Sequence, residues 1–165
     1  DLQHFFKNPG EYESHFGRFC SKTDMLIAAA FWDPGAPLLF TTDQVKEARF
    51  RIRVIADITC DMNGSVPVSI RTTAFDNPFY DFSRSTLKEE HPFSNRDNIT
   101  VMTIDNLPCG LPEEASADFG HHLIQYVIPL LIEGDHEGVL ERATLADRGK
   151  LAENYLYLDE WVRSD

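Results

Sequence analysis

The chain has 165 residues, 42% of them hydrophobic and 25% charged, and a formal net charge of −12. This length and composition fit one globular domain with its own core rather than a disordered chain. The acidic balance argues against nucleic acid and against an anionic membrane surface, which both need clustered Lys and Arg, and no apolar run reaches the roughly 18–20 residues of a membrane span.

Cys20, Cys60 and Cys109 are widely spaced and include no CxxC pair. An odd count gives no disulfide framework, so a reducing, cytoplasmic setting is the simplest expectation. No secretory signal is visible at the start. The first residue is Asp1 rather than Met, which reads as a piece of a longer protein.

In chain order, Asn8-Pro9 predicts a helix start, with Asn8 as N-cap and Pro9 at the first helical position. That helix would carry Tyr12, Phe16 and Phe19 on one face. Met25–Phe31 is a continuous apolar run that predicts a central parallel strand, although its three alanines leave a helix open. Asp33-Pro34-Gly35-Ala36-Pro37 reads as a turn. Thr41 or Thr42 would cap a short helix over Asp43–Arg49. Arg51–Cys60, with Val54, Ile55 and Ile58, predicts a second buried strand. The alternation of helix and strand points to parallel β-α-β units.

Gly64–Asn98 is long and rich in Ser, Thr, Asn and Pro. Val66–Thr73 is a weak strand candidate, and Leu87–Asn98 reads as an exposed loop. Asn98–Asp105 restores a strand. Pro112 begins a helix that would run to Glu133, with Pro129 breaking or kinking it and Gly134 ending it. In the tail a short helix is expected over Val139–Ala146, a turn at Asp147-Arg148-Gly149-Lys150, and an apolar-aromatic segment from Leu151 to Val162. Residues 1–134 are expected to form the sheet domain, and 135–165 an apolar tail that packs against something, a part missing from this chain being one candidate.

Two predicted strands end alike, in Asp61-Met62-Asn63-Gly64-Ser65 and in Asp105-Asn106-Leu107-Pro108. Ligands of open α/β sheets bind outside the carboxyl ends of the strands. Asp61 and Asp105 are therefore candidates for chemistry or for holding a ligand. The plainer alternative is that both cap turns. The chain contains no GxGxxG, no GxxxxGK[ST] and no GxSxG. His121 and His122 would project about 100° apart on a helix, so they cannot chelate a metal together and no metal site is expected. His4 and His15 read as ordinary surface or core residues. Cys60 has no basic neighbour in sequence to activate its thiol and reads as a small buried apolar residue.

Several linked stretches carry a resemblance. Thr23–Phe31, with Pro34-Gly35-Ala36-Pro37 and Thr41-Thr42, resembles alanine dehydrogenases. Asp57–Ser65, Thr72-Thr73, Asp76–Asp81, Val101–Pro108, Leu111–Ser116 and Phe119-Gly120 resemble lysine-ketoglutarate reductases and the related lysine-forming saccharopine dehydrogenases. The motifs occur in the same order and cover the chain from about Thr23 to the Pro129 helix. The tail, with Leu145-Ala146 and Gly149-Lys150, is similar only in outline.

The resemblance implies an α/β fold, the C-terminal half of a Rossmann-like parallel-sheet nucleotide-binding domain followed by a helical tail. It implies NAD or NADP as cofactor, with Ala30, Phe31, Ile58, Thr59, Cys60, Asp61, Ile104, Asp105, Asn106 and Leu107 lining it. In alanine dehydrogenases the position of Asp61 is a catalytic aspartate beside the nicotinamide. In the saccharopine enzymes most acid–base work falls to an upstream Lys and His. The implied partners are an amino-acid or 2-oxo-acid substrate, the N-terminal domain of the same protein and, in some members, further copies of it. Hydride transfer needs close positioning of ring and substrate. A carboxylate near the ring can orient an amine or imine and stabilise its developing charge. Three functions follow: a saccharopine-type amino-acid dehydrogenase, an alanine dehydrogenase, or a nucleotide-binding module without catalysis.

Overall fold

Leu26, Ile55, Val101 and Tyr80 form one row across four paired strands, and all four side chains are buried. This row runs through the centre of the fold in the computed structural model, which describes residues 2–30, 32–33 and 35–163. The strands are β1 (Met25–Ala28), β2 (Val54–Asp57), β3 (Tyr80–Phe82), β4 (Glu89–Glu90) and β5 (Ile99–Met102). They lie in the order β1-β2-β5-β3-β4. The β1–β2 and β2–β5 pairs are parallel, as the alternation of elements predicts, while β5–β3 and β3–β4 are antiparallel. The chain divides into two compact units, Asp1–Gly110 and Leu111–Asp165.

In the first unit α1 (Leu2–Lys7) and α2 (Gly17–Cys20) precede β1, and α3 (Thr42–Lys46) follows it. The α3 start is a full capping box: Thr41 Oγ1 accepts from Gln44 N, and Gln44 Oε1 accepts from Thr41 N. The inward face of the sheet packs with Phe40, Val45, Phe50, Ile52, Val66 and Val68. The outward face is bare along β1, where Met25 is 56% and Ile27 63% exposed.

Several expectations change. Met25–Phe31 reads as a central strand, but β1 is four residues long and pairs only with β2, at one edge of the sheet. The helix expected from Pro9 to Phe19 is a 3-10 turn at Pro9–Glu11, then extended chain from Tyr12, then α2. Tyr12 leaves the helical path to stack edge-on against Phe5 and to bond His4 through its hydroxyl. His4 and His15 lie at the surface. Val66–Thr73 holds no strand beyond one bridge from Thr73 to Ile104. The stretch read as a loop, Leu87–Asn98, contributes β4, and the buried Asp81 carboxylate pins its far end by accepting from Ser94 N and Thr100 Oγ1.

The second unit has α4 (Pro112–His122), one π-helical turn (Leu123–Val127) and α5 (Ile128–Glu133). Pro129 falls in the first turn of α5, where its missing N–H costs no bond. The break expected at this proline is thus a change of helical register. α6 (Val139–Ala143) follows, then a hairpin of β6 (Ala146–Asp147) and β7 (Lys150–Leu151), closed by Arg148 and Gly149 at φ 50° and 78°. A 3-10 segment (Glu153–Leu158) leads into α7 (Asp159–Val162). No described residue of this unit is buried. Among the described residues no helix is long and apolar enough to cross a membrane.

Candidate functional site

The site is built on the carboxyl ends of β1, β2 and β5. Ile58 N donates to Ala28 O at 2.7 Å, which closes the β1 and β2 ends together. Beyond Ile58 the chain turns sharply. Cys60 and Asn63 take φ 52° and 54°, a left-handed conformation that L residues other than Asn and Asp seldom adopt. Asp61 lies between them, and its carbonyl accepts from Gly64 N at 2.8 Å. The Asp61 side chain is half-buried, and its carboxylate has no hydrogen-bond or ion-pair partner among the described residues.

The β5 end is held from the opposite side. Thr103 N donates to Thr73 Oγ1 at 3.0 Å, Thr103 Oγ1 to Arg71 O at 2.5 Å, and Thr73 N to Thr103 O at 2.9 Å. Ile104 is buried beneath the rim, so what it offers a ligand is main chain. Asp105 and Asn106 are exposed and half-buried Leu107 starts a 3-10 turn to Gly110.

Cys60 follows the β2 end, which lies beside the parallel β5 end. Burial pushes its thiol above the ordinary range, and the charges of Asp57, Asp105 and Asp61 push it further. A thiol with a raised pKa is a poor nucleophile, but Cys60 is half-buried rather than the buried apolar residue expected.

Ala29 and Ala30 leave the β1 end small and exposed. Ala30 also lines a mainly apolar cavity of about 500 Å³ with Phe16, Leu26, Trp32 and Leu39. Ile58, Thr59, Cys60, Asp61 and the Ile104–Leu107 stretch do not line that cavity. The Trp32 ring, which lines the cavity, also lies against Gly64 of the β2 tip. Phe31 lies outside the described residues. Among the described residues no three His, Cys, Asp or Glu side chains are grouped to hold a metal.

Sequence reasoning passed over Asp57, Ser69, Gly64 and Trp32. Asp57 is 1% exposed and accepts from Thr59 N, Thr59 Oγ1 and Ser69 Oγ. The signal was present: two residues after Ile55, an inward phase that should be apolar carries a carboxylate.

A family model described as alanine dehydrogenase/PNT, C-terminal domain, matches residues 4–153. The chain is 30% identical over 172 residues to α-aminoadipic semialdehyde synthase of Arabidopsis thaliana, covering all of this chain and 16% of that protein. It is 26% identical over 188 residues to the mitochondrial α-aminoadipic semialdehyde synthase of Mus musculus, covering 93% and 20%. Saccharopine dehydrogenase [NAD(+), L-lysine-forming] of Schizosaccharomyces pombe is 25% identical over 113 residues, covering 67% and 28%. Among solved structures, an L-alanine dehydrogenase superposes with TM-score 0.54 at 19% identity over 89% of this chain and 38% of that one. The chain therefore spans a fifth or less of the first two relatives' length.

Proposed function

The chain belongs to the alanine dehydrogenase/PNT C-terminal-domain family, and from that premise we propose that it forms the cofactor side of an NAD(P)-dependent amino-acid dehydrogenase of the saccharopine dehydrogenase or lysine-ketoglutarate reductase type. The observation that carries this reading is the parallel pairing of β2 and β5, which brings the Asp61 and Asp105 tips off the same edge of the sheet, with the Asp61 carboxylate unpartnered among the described residues. The exposed Ala29 and Ala30 and the exposed Ile58 suit a flat ring laid close to main chain.

The bound nicotinamide supplies or takes up the hydride. The chain's own part is to place it. Ala30, Phe31 and Ile58 give apolar support, and the main chain of Thr59, Cys60 and Ile104–Leu107, with the Asp105 and Asn106 side chains, sets its orientation. Asp61 orients the substrate nitrogen and stabilises the positive charge that develops as an imine is made or reduced. The glycine-rich phosphate loop and an acid–base Lys and His would come from the upstream part of the same protein, and further copies of it would assemble around it. The 2′-phosphate discriminator of NADP enzymes follows the second strand of a Rossmann unit, which would also lie upstream. Three free cysteines suit the reducing cytoplasm.

The test is NADH and NADPH oxidation by the full-length protein, with lysine plus 2-oxoglutarate and, separately, with pyruvate plus ammonia. Turnover of the lysine pair is expected. Turnover of pyruvate and ammonia alone would make it an alanine dehydrogenase. Nucleotide binding without turnover of either pair would make it a non-catalytic module.

A further inference from the structure

We propose that Asp57 is a positioning residue for the Asp61 tip, acting through hydroxyl groups at both ends of the turn; this rests on the reading of Asp61 given above. Asp57 closes β2 on its inward face, in phase with Ile55. An aliphatic side chain there would continue the core at no desolvation cost, whereas a buried carboxylate is costly unless it is well bonded. Its partners among the described residues are all uncharged, so it is not the anion of a core ion pair. Oδ1 accepts from Thr59 Oγ1 at 2.6 Å and from Thr59 N at 3.1 Å. Oδ2 accepts from Ser69 Oγ at 2.5 Å, twelve residues along the chain.

One carboxylate thus fastens the start and the return of the turn. Ser69 then passes the hold back to the tip, because its carbonyl accepts from Asn63 N at 2.9 Å. What lies between is strained. Cys60 and Asn63 both have positive φ and flank Asp61. At Cys60, which lacks the short polar side chain that eases such a φ at Asn63, this conformation persists only where the surroundings over-determine it. Asp57 supplies the fixed points, while the Asp61 carboxylate bonds nothing among the described residues.

The experiment takes the full-length protein and compares Ser69→Ala, Ser69→Thr and Asp61→Asn with the parent. Ser69→Ala removes one anchor and leaves the carboxylate in place, so folding is retained more readily than in an Asp57 variant. Amide hydrogen exchange over residues 58–64 should speed up by at least about fivefold while exchange at Ile55 and Val101 is unchanged. Turnover should fall about tenfold, with the KM for nucleotide within about threefold of the parent, because order rather than binding is lost. Ser69→Thr, which restores a hydroxyl, should recover both. Unchanged exchange at the tip overturns the proposal. So does faster exchange with full turnover, if Asp61→Asn is impaired. Full turnover in Asp61→Asn overturns the reading of the site itself, and is told apart because tip exchange in Ser69→Ala is read without any activity assay.

Discussion

A methyl group on Gly64 would lie 2.6 Å from Asp61 Cβ and 3.2 Å from Trp32 Cε3, so the turn that carries Asp61 closes only on a residue without a side chain. Gly64→Ala is expected to destabilise by about 1–3 kcal/mol, the usual cost of forcing extra volume into packed surroundings. Denaturant unfolding measures it. An unchanged midpoint would mean that the Trp32 ring and the Asp61 backbone move aside freely.

Asp61→Asn keeps the size of the side chain and removes its charge. In the full-length enzyme we expect turnover to fall at least about tenfold, since the lost term is stabilisation of charge developing in the transition state. Stability should hardly change, because the carboxylate bonds nothing among the described residues. Parent-like kinetics would leave Asp61 a turn residue.

Tyr80 is buried, donates to Val68 O at 2.7 Å and accepts from Ile70 N at 3.0 Å. Burial pushes its phenol up to about 12. The folded state therefore keeps this proton when the unfolded chain, at about 10, has lost it. The stability Tyr80 contributes is whole below about pH 10 and disappears as pH rises toward 12. Tyr80→Phe should flatten that alkaline limb and cost about 1–3 kcal/mol at neutral pH, by leaving two buried main-chain groups unpaired.

Asp81 shows the opposite sign. Burial alone would raise its carboxyl, but bonds from Thr100, the Phe93 main chain, Asn98 and Ser94 outweigh burial and hold it below the usual carboxylate range. Its stabilisation is present above about pH 4, the unfolded value, and is lost as pH falls through the lower folded one. Thr100→Val, which removes the donor 2.8 Å from Oδ1, should move the acid-unfolding midpoint to higher pH. An unmoved midpoint would show that the other donors suffice.

Thiol labelling should be ordered by exposure and environment. Cys109 is exposed, Cys20 is buried, and Cys60 is half-buried among carboxylates. Cys109 should react first with an uncharged maleimide and Cys60 more slowly. Mass spectrometry of partly labelled protein gives the order, and prior labelling of Cys60 would contradict the surroundings described for it.

Much of this was legible in the residues. The aliphatic runs around Leu26, Ile55 and Val101 announced three strands. Thr41 or Thr42 could be read as a cap, and Asp147–Lys150 was visible as a turn. The acidic strand ends at Asp61 and Asp105 could be read as candidates at the carboxyl ends of the predicted strands. Each signal is local, written in neighbours a few residues apart, and needs no distant partner to exist.

What only the tertiary structure decided was pairing. Nothing around Tyr80 says that it will lie beside Val101 and antiparallel to it, since that depends on a sheet edge built from another stretch of chain. The helix expected through Tyr12 yields to contacts with Phe5 and His4. Apolar Met25 and Ile27 read as interior yet lie exposed, because burial is set by what covers a face rather than by the residues on it. Asp57 is the sharpest case: its own position shows a carboxylate in phase with the core, and only the return of the chain at Ser69 adds a second hydroxyl to that of Thr59 and gives the charge a reason to be there.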